Sequence, residues 1–162
     1  MNNEEFINFL ESRLERLSNA QVVDFALNIC SRLLPYYIQF QGEHGWGNRE
    51  VLSEGIHFCK EFRNYKGAEV NKLLDLMQQT EEAIPDTEEF ENGSLALNAS
   101  AAVLELLEYI LDKDLSHILN ISSYMTDTID FIARENVNKL SVNHQELIKE
   151  RKYQLELINQ AA

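Results

Sequence analysis

The chain has little proline and glycine, two and six residues respectively among 162. So low a content argues against linkers, disordered segments and collagen-like repeats. No segment alternates Val, Ile or Thr with polar residues, so no β-strand is predicted. At this length one domain can bury roughly 70% of the surface that its unfolded chain exposes. The sequence therefore predicts a single domain over residues 1–162.

A secretory signal and a long apolar run are also missing. The N-terminal segment carries acidic residues where a signal peptide has a basic head. The uncharged run from Asn92 to Leu104 contains Ser, Asn and Gly, and it is shorter than the roughly 18 apolar residues of a membrane helix. Cys30 and Cys59 form no CxxC pair, and we interpret both as small buried hydrophobic residues in a reducing compartment. We expect a soluble cytoplasmic protein that does not bind a membrane.

Positive charge is absent from one quarter of the chain. There is no Lys or Arg between Lys72 and Lys113, although the whole chain has a net charge of −13. Ten acidic residues lie in this window, namely Asp75, Glu81, Glu82, Asp86, Glu88, Glu89, Glu91, Glu105, Glu108 and Asp112. Such a field repels phosphate backbones, which argues against nucleic-acid binding, and it attracts a basic protein. The alternative is a solvated acidic surface that only keeps the protein soluble.

Apolar residues recur at helical spacing along the chain. The pattern predicts helices over residues 3–17, from the Ser18–Gln21 capping box to about 34, and over 48–63, 68–83, 94–111 and 114–138. A last helix begins at Ser141 or Asn143 and runs to about 160. Because Pro35 disfavours helical geometry in the residue before it, residues 35–42 are predicted as a separate short helix or a kinked extension. The fold class is all-α, a bundle of seven or eight helices.

The segment Gly42–Asn48, with sequence GEHGWGN, raises the question of a reactive loop. It lacks the Lys-Ser/Thr ending of a phosphate loop and follows a helix instead of a strand. Gly42 or Gly45 can end one helix in the left-handed conformation, and Asn48 can cap the next. We therefore predict a corner that is filled by Trp46, with His44 and Trp46 bordering a ligand pocket between helices.

One arrangement in the sequence favours a metal site. Glu54 and His57 form a Glu-x-x-His pair, and Asp114 and His117 form an Asp-x-x-His pair on another predicted helix. Di-metal bundle proteins use such spacing, together with carboxylates from two further helices, and Asp24 or Asp127 would have to supply them. Asp114 is better explained as a helix cap, and Asp24, Asp127 and Asp130 as residues of the outer helical stripe. The prediction is no metal and no cofactor, with Glu54, His57, Asp114 and His117 as the alternative.

Signals for a nucleophile are absent. The chain has no G-x-S-x-G elbow, and Cys30 and Cys59 stand among apolar residues, which raise the pKa of a thiol. No catalytic residue is predicted, and the chain is interpreted as a non-enzyme.

Several short motifs resemble a known family. They are Leu34–Phe40 (LPYYIQF), Gly45–Asn48 (GWGN), Glu81–Phe90 (EEAIPDTEEF) and the alanine-rich stretch Ala96–Leu111. In this order and spacing, over about residues 10–135, the chain resembles the bacterial domain-of-unknown-function family 416, the YjaG-like proteins. The resemblance implies a small, soluble, helical bacterial protein with no assigned activity and no catalytic residues to carry over. A role of relatives as immunity proteins in toxin systems is a looser implication.

The predicted function is binding of a basic protein, such as a toxin or nuclease, by the acidic segment. The predicted binding residues are Asp75, Glu81, Glu82, Asp86, Glu88, Glu89 and Glu91, together with His44 and Trp46. The alternatives are a metal-dependent or small-molecule-binding enzyme and a homodimer formed through an exposed aromatic cluster of Tyr36, Tyr37, Phe40 and Trp46.

Overall fold

Seven helices account for most of the residues in the computed structural model, which describes residues 1–90, 93–135 and 140–161. They are α1 (Asn3–Leu14), α2 (Asn19–His44), α3 (Arg49–Glu61), α4 (Val70–Glu82), α5 (Gly93–Asp112), α6 (Leu115–Glu135) and α7 (Leu140–Ala161). No strand occurs in these ranges. The predicted all-α bundle is confirmed. The predicted extension of the sixth helix over residues 136–138 lies outside the described residues.

Helix α5 forms the centre of the bundle and packs against α2, α3, α4 and α6. Small residues along it, including Ala96, Ala99 and Ala102, are fully or almost fully buried, and they allow neighbouring helices to approach closely. α3 approaches α5 closely at Gly55, where an added Cβ would lie 2.9 Å from Val103 Cγ1. α5 is long and apolar enough to cross a membrane by length and composition, but its position in the core accounts for this composition.

Pro35 lies inside a continuous α2. Of the two alternatives predicted for residues 35–42, the separate short helix is therefore wrong, and these residues extend the preceding helix. A proline in a helix leaves the carbonyl four residues earlier without its backbone partner. Here Pro35 and Ser31 both face solvent, where water can satisfy that carbonyl. The buried side of α2, with Leu33, Tyr37 and Phe40, continues past the proline without interruption. Burial of this apolar side favours one helix over two.

The predicted helix ends are largely confirmed. Ser18 and Gln21 form the capping box of α2, and Gly45 ends that helix with φ of +62°. The Oδ1 of Asn48 accepts a hydrogen bond of 3.2 Å from the Val51 amide at the start of α3. Asp114 likewise accepts from the Ser116 amide at 2.9 Å and caps α6. Each of these bonds satisfies an amide that has no partner within its own helix.

A polar network attaches α7 to the rest of the bundle. Arg32 of α2 donates from Nη1 and Nη2 to the two carboxylate oxygens of Glu150, at 2.7 and 3.0 Å. The buried Gln154 donates to Glu150 at 2.9 Å and accepts from Ser122 of α6 at 2.5 Å. The buried Glu150 and Gln154 of α7 therefore have partners on α2 and α6, as burial requires.

Both cysteines lie in the core, as predicted. Cys30 and Cys59 have no solvent-accessible surface. Burial raises the pKa of the Cys30 thiol to about 12 and raises that of Cys59 as well. Neither thiol is therefore a nucleophile at neutral pH.

Candidate functional site

The predicted acidic residues cover the solvent side of α4 and the loop that follows it. Asp75, Glu81 and Glu82 are exposed on α4, and Asp86, Glu88 and Glu89 are exposed on the loop. These six residues are called the acidic face below. Glu91, which was also predicted to bind, lies outside the described residues. Asp75 and Glu82 are separated by two helical turns and therefore share one side of α4.

Neutral groups, not cations, contact the acidic face. Gln79 donates to Asp75 at 2.6 Å, and Gln78 donates to Glu82 at 3.5 Å. Asp86 accepts from the backbone amide of Glu88 at 2.9 Å. Within the described ranges, no Lys or Arg forms an ion pair with any of the six carboxylates, whereas acidic residues elsewhere pair with Arg32, Arg49, Arg63, Arg134 and Lys149. Within the part of the chain that the structure describes, the negative charge of this face is therefore not neutralised by an ion pair.

The segment Gly45–Asn48 forms a tight corner around the buried side chain of Tyr37. The Tyr37 hydroxyl donates to the Ala83 carbonyl at 2.6 Å and accepts from the Asn48 amide at 3.0 Å. Gly47 has a φ of +124°, and a Cβ there would lie 2.8 Å from the Tyr37 hydroxyl. A residue other than glycine would be strained here and would also displace the tyrosine. The glycines are therefore needed for the backbone conformation of the corner, as the sequence predicts.

A groove joins this corner to the acidic face. It has a volume of about 380 Å³ and is lined by Gly45, Trp46, Gly47, Asn48, Gln79, Glu82 and Ala83. Two predicted binding residues, Trp46 and Glu82, thus border the same groove. His44 instead packs between Phe40 and Phe90, with ring centroids 4.7 and 5.3 Å away. Trp46 lies 5.3 Å from the Phe90 ring, which fixes the indole at the edge of the groove.

The aromatic cluster proposed as a dimer contact is not exposed. Tyr37 has no accessible surface and Phe40 has 3%, and Tyr36 and Trp46 are partly buried against the core. The prediction of an exposed aromatic patch is wrong because Tyr37, Phe40 and Trp46 pack in the corner between α2, α3 and the loop after α4, and Tyr36 is partly buried.

The residues of the alternative metal site lie in different places. Glu54 and His57 are exposed on α3 and line a shallow groove with Lys72, and His57 lies 3.7 Å from Glu61. Asp114 caps α6. Among the described residues, the only group of three or more His, Cys, Asp or Glu ligand atoms within 4.8 Å of one another consists of Glu105, Glu108 and His117. The structure therefore does not bring Glu54 and His57 together with Asp114 and His117.

His117 is instead surrounded by carboxylates at the junction of α5 and α6. Its Nδ1 lies 2.8 Å from Glu105 Oε2 and 3.5 Å from Glu108 Oε2. Its Nε2 lies 2.9 Å from Asp112 Oδ2. Asn120 of α6 donates to the same Glu105 oxygen at 3.2 Å. We call Glu105, Glu108, Asp112 and His117 the histidine cluster.

Protonation of the histidine cluster follows from this geometry. Burial lowers the pKa of His117, but the hydrogen bonds to Asp112 and Glu105 outweigh it, so that the pKa is raised above its usual value. The pKa of Glu108 is also raised, first by burial and then by the charge of Glu105, with smaller effects from Asp112 and Glu81. Since Glu81 belongs to the acidic face, the two acidic groups lie within electrostatic range of each other.

The histidine cluster can be predicted from a sequence pattern other than the Asp-x-x-His pair of Asp114 and His117. Glu105 and Glu108 are three residues apart and therefore lie on one side of a helix. Lys113 and Asp114 form a short turn, so residues before it on α5 face residues after it on α6. If acidic residues before that turn are matched with residues after it, and not with residues of the same helix, His117 is identified as the partner of Glu105 and Glu108.

The fold and surface define the class of protein: an all-α bundle with an acidic face to which no Lys or Arg of the described residues pairs. The chain belongs to the family described as Protein of unknown function (DUF416), whose model matches residues 9–162. The resemblance inferred from the motifs is thereby confirmed, and the match extends through α7.

Two relatives support the assignment. The chain is 30% identical over 125 residues to "Uncharacterized protein YjaG" of Escherichia coli (strain K12), which covers 75% of this chain and 63% of that protein. The chain thus spans less than two thirds of this relative's length. The crystal structure of a DUF416 family protein from Shewanella baltica OS155 has a TM-score of 0.77, with 93% of this chain and 82% of that chain covered at 23% identity. This likeness shows the fold.

Proposed function

We propose that this protein is a non-catalytic interaction protein that binds a basic protein partner in the cytoplasm through the acidic face. The observation that carries the proposal is the lack of any Lys or Arg ion pair to its six exposed carboxylates within the described ranges. The groove beside Trp46 and Glu82 offers the same partner an aromatic contact next to a carboxylate.

The acidic face opposes folding, which supports a role outside the fold. Glu81 and Glu82 lie in the last turn of α4, which contains no basic residue. A carboxylate at the negative end of a helix costs roughly 0.3–1 kcal/mol when exposed. Neighbouring carboxylates add repulsion that the chain itself does not relieve. A basic partner would relieve both effects on docking, and the field of the face would accelerate its approach.

A toxin or nuclease is the partner class that this charge fits best. The groove of a nuclease is positive because it binds phosphate, and a row of carboxylates can occupy it and exclude the substrate. In that case the protein acts as an immunity protein. The support for this finer assignment is the charge of the face alone.

The test begins with identification of the partner and proceeds to its affinity. The purified chain serves as bait in cell extract, and a basic partner, or the basic product of an adjacent gene, is then titrated as a pure protein. The variant neutralises four carboxylates by Glu81→Gln, Glu82→Gln, Glu88→Gln and Glu89→Gln. The control changes the net charge equally at four exposed positions elsewhere, through Glu→Gln at residues 4, 15, 135 and 156.

The proposal predicts that the face variant associates roughly tenfold more slowly or worse, while the control keeps wild-type association. Circular dichroism of both variants establishes that they are folded. An equal decrease of the association rate in both variants would mean that only net charge matters. No decrease in either variant would exclude the acidic face as the docking surface.

A further inference from the structure

The histidine cluster has the geometry of a metal site. Glu105 and Glu108 of α5 and His117 of α6 each place one ligand atom within 4.8 Å of the other two. Zinc binds imidazole nitrogen and carboxylate oxygen at about 2.0–2.2 Å, which in a tetrahedral site separates neighbouring ligand atoms by about 3.3–3.6 Å. The distances from Nδ1 to the two glutamate oxygens, 2.8 and 3.5 Å, are close to this spacing. Small side-chain adjustments are enough to admit an ion.

The orientation of His117 also fits a metal ligand. A ligating histidine typically donates its other ring N–H to a carboxylate, which fixes the tautomer and raises the basicity of the ligand nitrogen. Asp112 occupies this position, 2.9 Å from Nε2. Nδ1 is thereby directed toward Glu105 and Glu108. Asn120 holds the Glu105 carboxylate from the opposite side, with Nδ2 at 3.2 Å.

Burial and charge distinguish this cluster from an ordinary acidic surface. The side chains of His117, Glu105 and Glu108 are 14%, 17% and 32% exposed. Three carboxylates surround a single imidazole, and no Lys or Arg forms an ion pair with them within the described ranges. The nearby Lys113 donates to the Ile110 carbonyl at 2.7 Å instead. The cluster therefore carries excess negative charge in a partly buried place.

We propose that Glu105, Glu108 and His117 bind a divalent transition-metal ion, for which Zn²⁺ is the best match, with Asp112 as the positioning residue of His117. One nitrogen and two oxygen ligands suit Zn²⁺ better than Mg²⁺ or Ca²⁺, which prefer oxygen alone. The ion takes the place of the proton on Nδ1, and the fourth position is left for water or for a group of a bound partner. The site goes beyond the docking function and does not depend on it.

The test measures Zn²⁺ binding by the full chain without an affinity tag, after treatment with a chelator and its removal. Calorimetry gives stoichiometry and affinity, and the absorption spectrum of the Co²⁺ form reports nitrogen and oxygen ligation. The site variants are Glu105→Gln, Glu108→Gln and His117→Gln, which keep polar side chains of similar size. The matched control is Glu54→Gln with His57→Gln, which removes the exposed Glu-x-x-His pair of α3.

The proposal predicts one Zn²⁺ per chain, with an affinity that falls at least tenfold in each site variant and is unchanged in the control. Asp112→Asn, which preserves all three ligands, weakens binding roughly 10- to 100-fold. Circular dichroism and the urea midpoint of each variant separate loss of the site from loss of the fold. Absence of saturable binding by the folded wild type, or equal binding by folded Glu108→Gln protein, overturns the proposal.

Discussion

The contact between α3 and α5 at Gly55 gives a quantitative test of the packing. Replacing Gly55 with Ala adds one methyl group at a point where the new Cβ lies 2.9 Å from Val103 Cγ1 and 3.4 Å from Leu107 Cδ1. Val103 is 1% exposed, and its β-branched side chain has one preferred rotamer in a helix. The clash therefore cannot be relieved by rotating a flexible side chain. Either α3 must move or Val103 must leave its rotamer.

Two opposing effects determine how much Gly55→Ala changes the free energy of unfolding. Exchanging Gly for Ala inside a helix gains about 1 kcal/mol of helix propensity. Inserting a methyl group into a packed core costs about 1–3 kcal/mol. Gly42 of α2 supplies the control, because no atom lies within 4 Å of a Cβ built there. Gly42→Ala should stabilise the protein by up to about 1 kcal/mol, and Gly55→Ala should be less stable than Gly42→Ala by about 1–3 kcal/mol.

Urea unfolding followed by circular dichroism measures both free energies of unfolding. For a chain of this size each kcal/mol moves the melting temperature by about 2–4 °C. Adding Val103→Ala removes the clashing Cγ1, so the double variant should lose less stability than the sum of its single variants. If Gly55→Ala stabilises as much as Gly42→Ala, the close packing of α3 on α5 is wrong.

Three further measurements address other contacts. Tyr37→Phe should cost about 1–3 kcal/mol of unfolding free energy, because the Ala83 carbonyl loses its buried partner, whereas Tyr36→Phe should stay within about 0.5 kcal/mol. Arg32→Met should lower the free energy of unfolding by about 1–3 kcal/mol, since it leaves the 7%-exposed Glu150 side chain without its cation, and adding Glu150→Met should restore part of the loss. Both cysteines should be inert to a thiol reagent at pH 8 in the native protein and react fully in guanidinium, because they have no accessible surface. A fast native reaction would contradict their burial.

Local signals determined most of the fold. Helical periodicity, the Ser18 capping box, the Asn48 cap and the left-handed Gly45 each act within a few residues, so the sequence alone predicts them. Of the two alternatives at Pro35, the extension of α2 is found and the separate helix is not, because tertiary burial of Tyr37 and Phe40 outweighs the local preference of proline. The need for Gly55 is likewise not a local property, since it depends on Val103 of another helix.

The candidate sites were predictable to different degrees. A block of acidic residues without bases is visible in the sequence, and its exposure on α4 and the following loop follows from helical amphipathicity. The histidine cluster was missed because its residues come from α5 and α6, whereas the motif Asp114–His117 runs along one helix. Asp114 uses its carboxylate for the cap of α6, which leaves His117 to the glutamates across the turn.

The rate at which the chain associates with the proposed basic partner, measured as a function of NaCl concentration, tests the docking proposal most directly. Interactions between exposed charges are largely screened beyond about 8 Å at 0.15 M salt and beyond about 3 Å at 1 M. The account predicts that the association rate falls steeply as salt is raised, and that the salt dependence is shallower in the variant with Gln at residues 81, 82, 88 and 89. A salt dependence identical in the wild type and this variant would contradict the account.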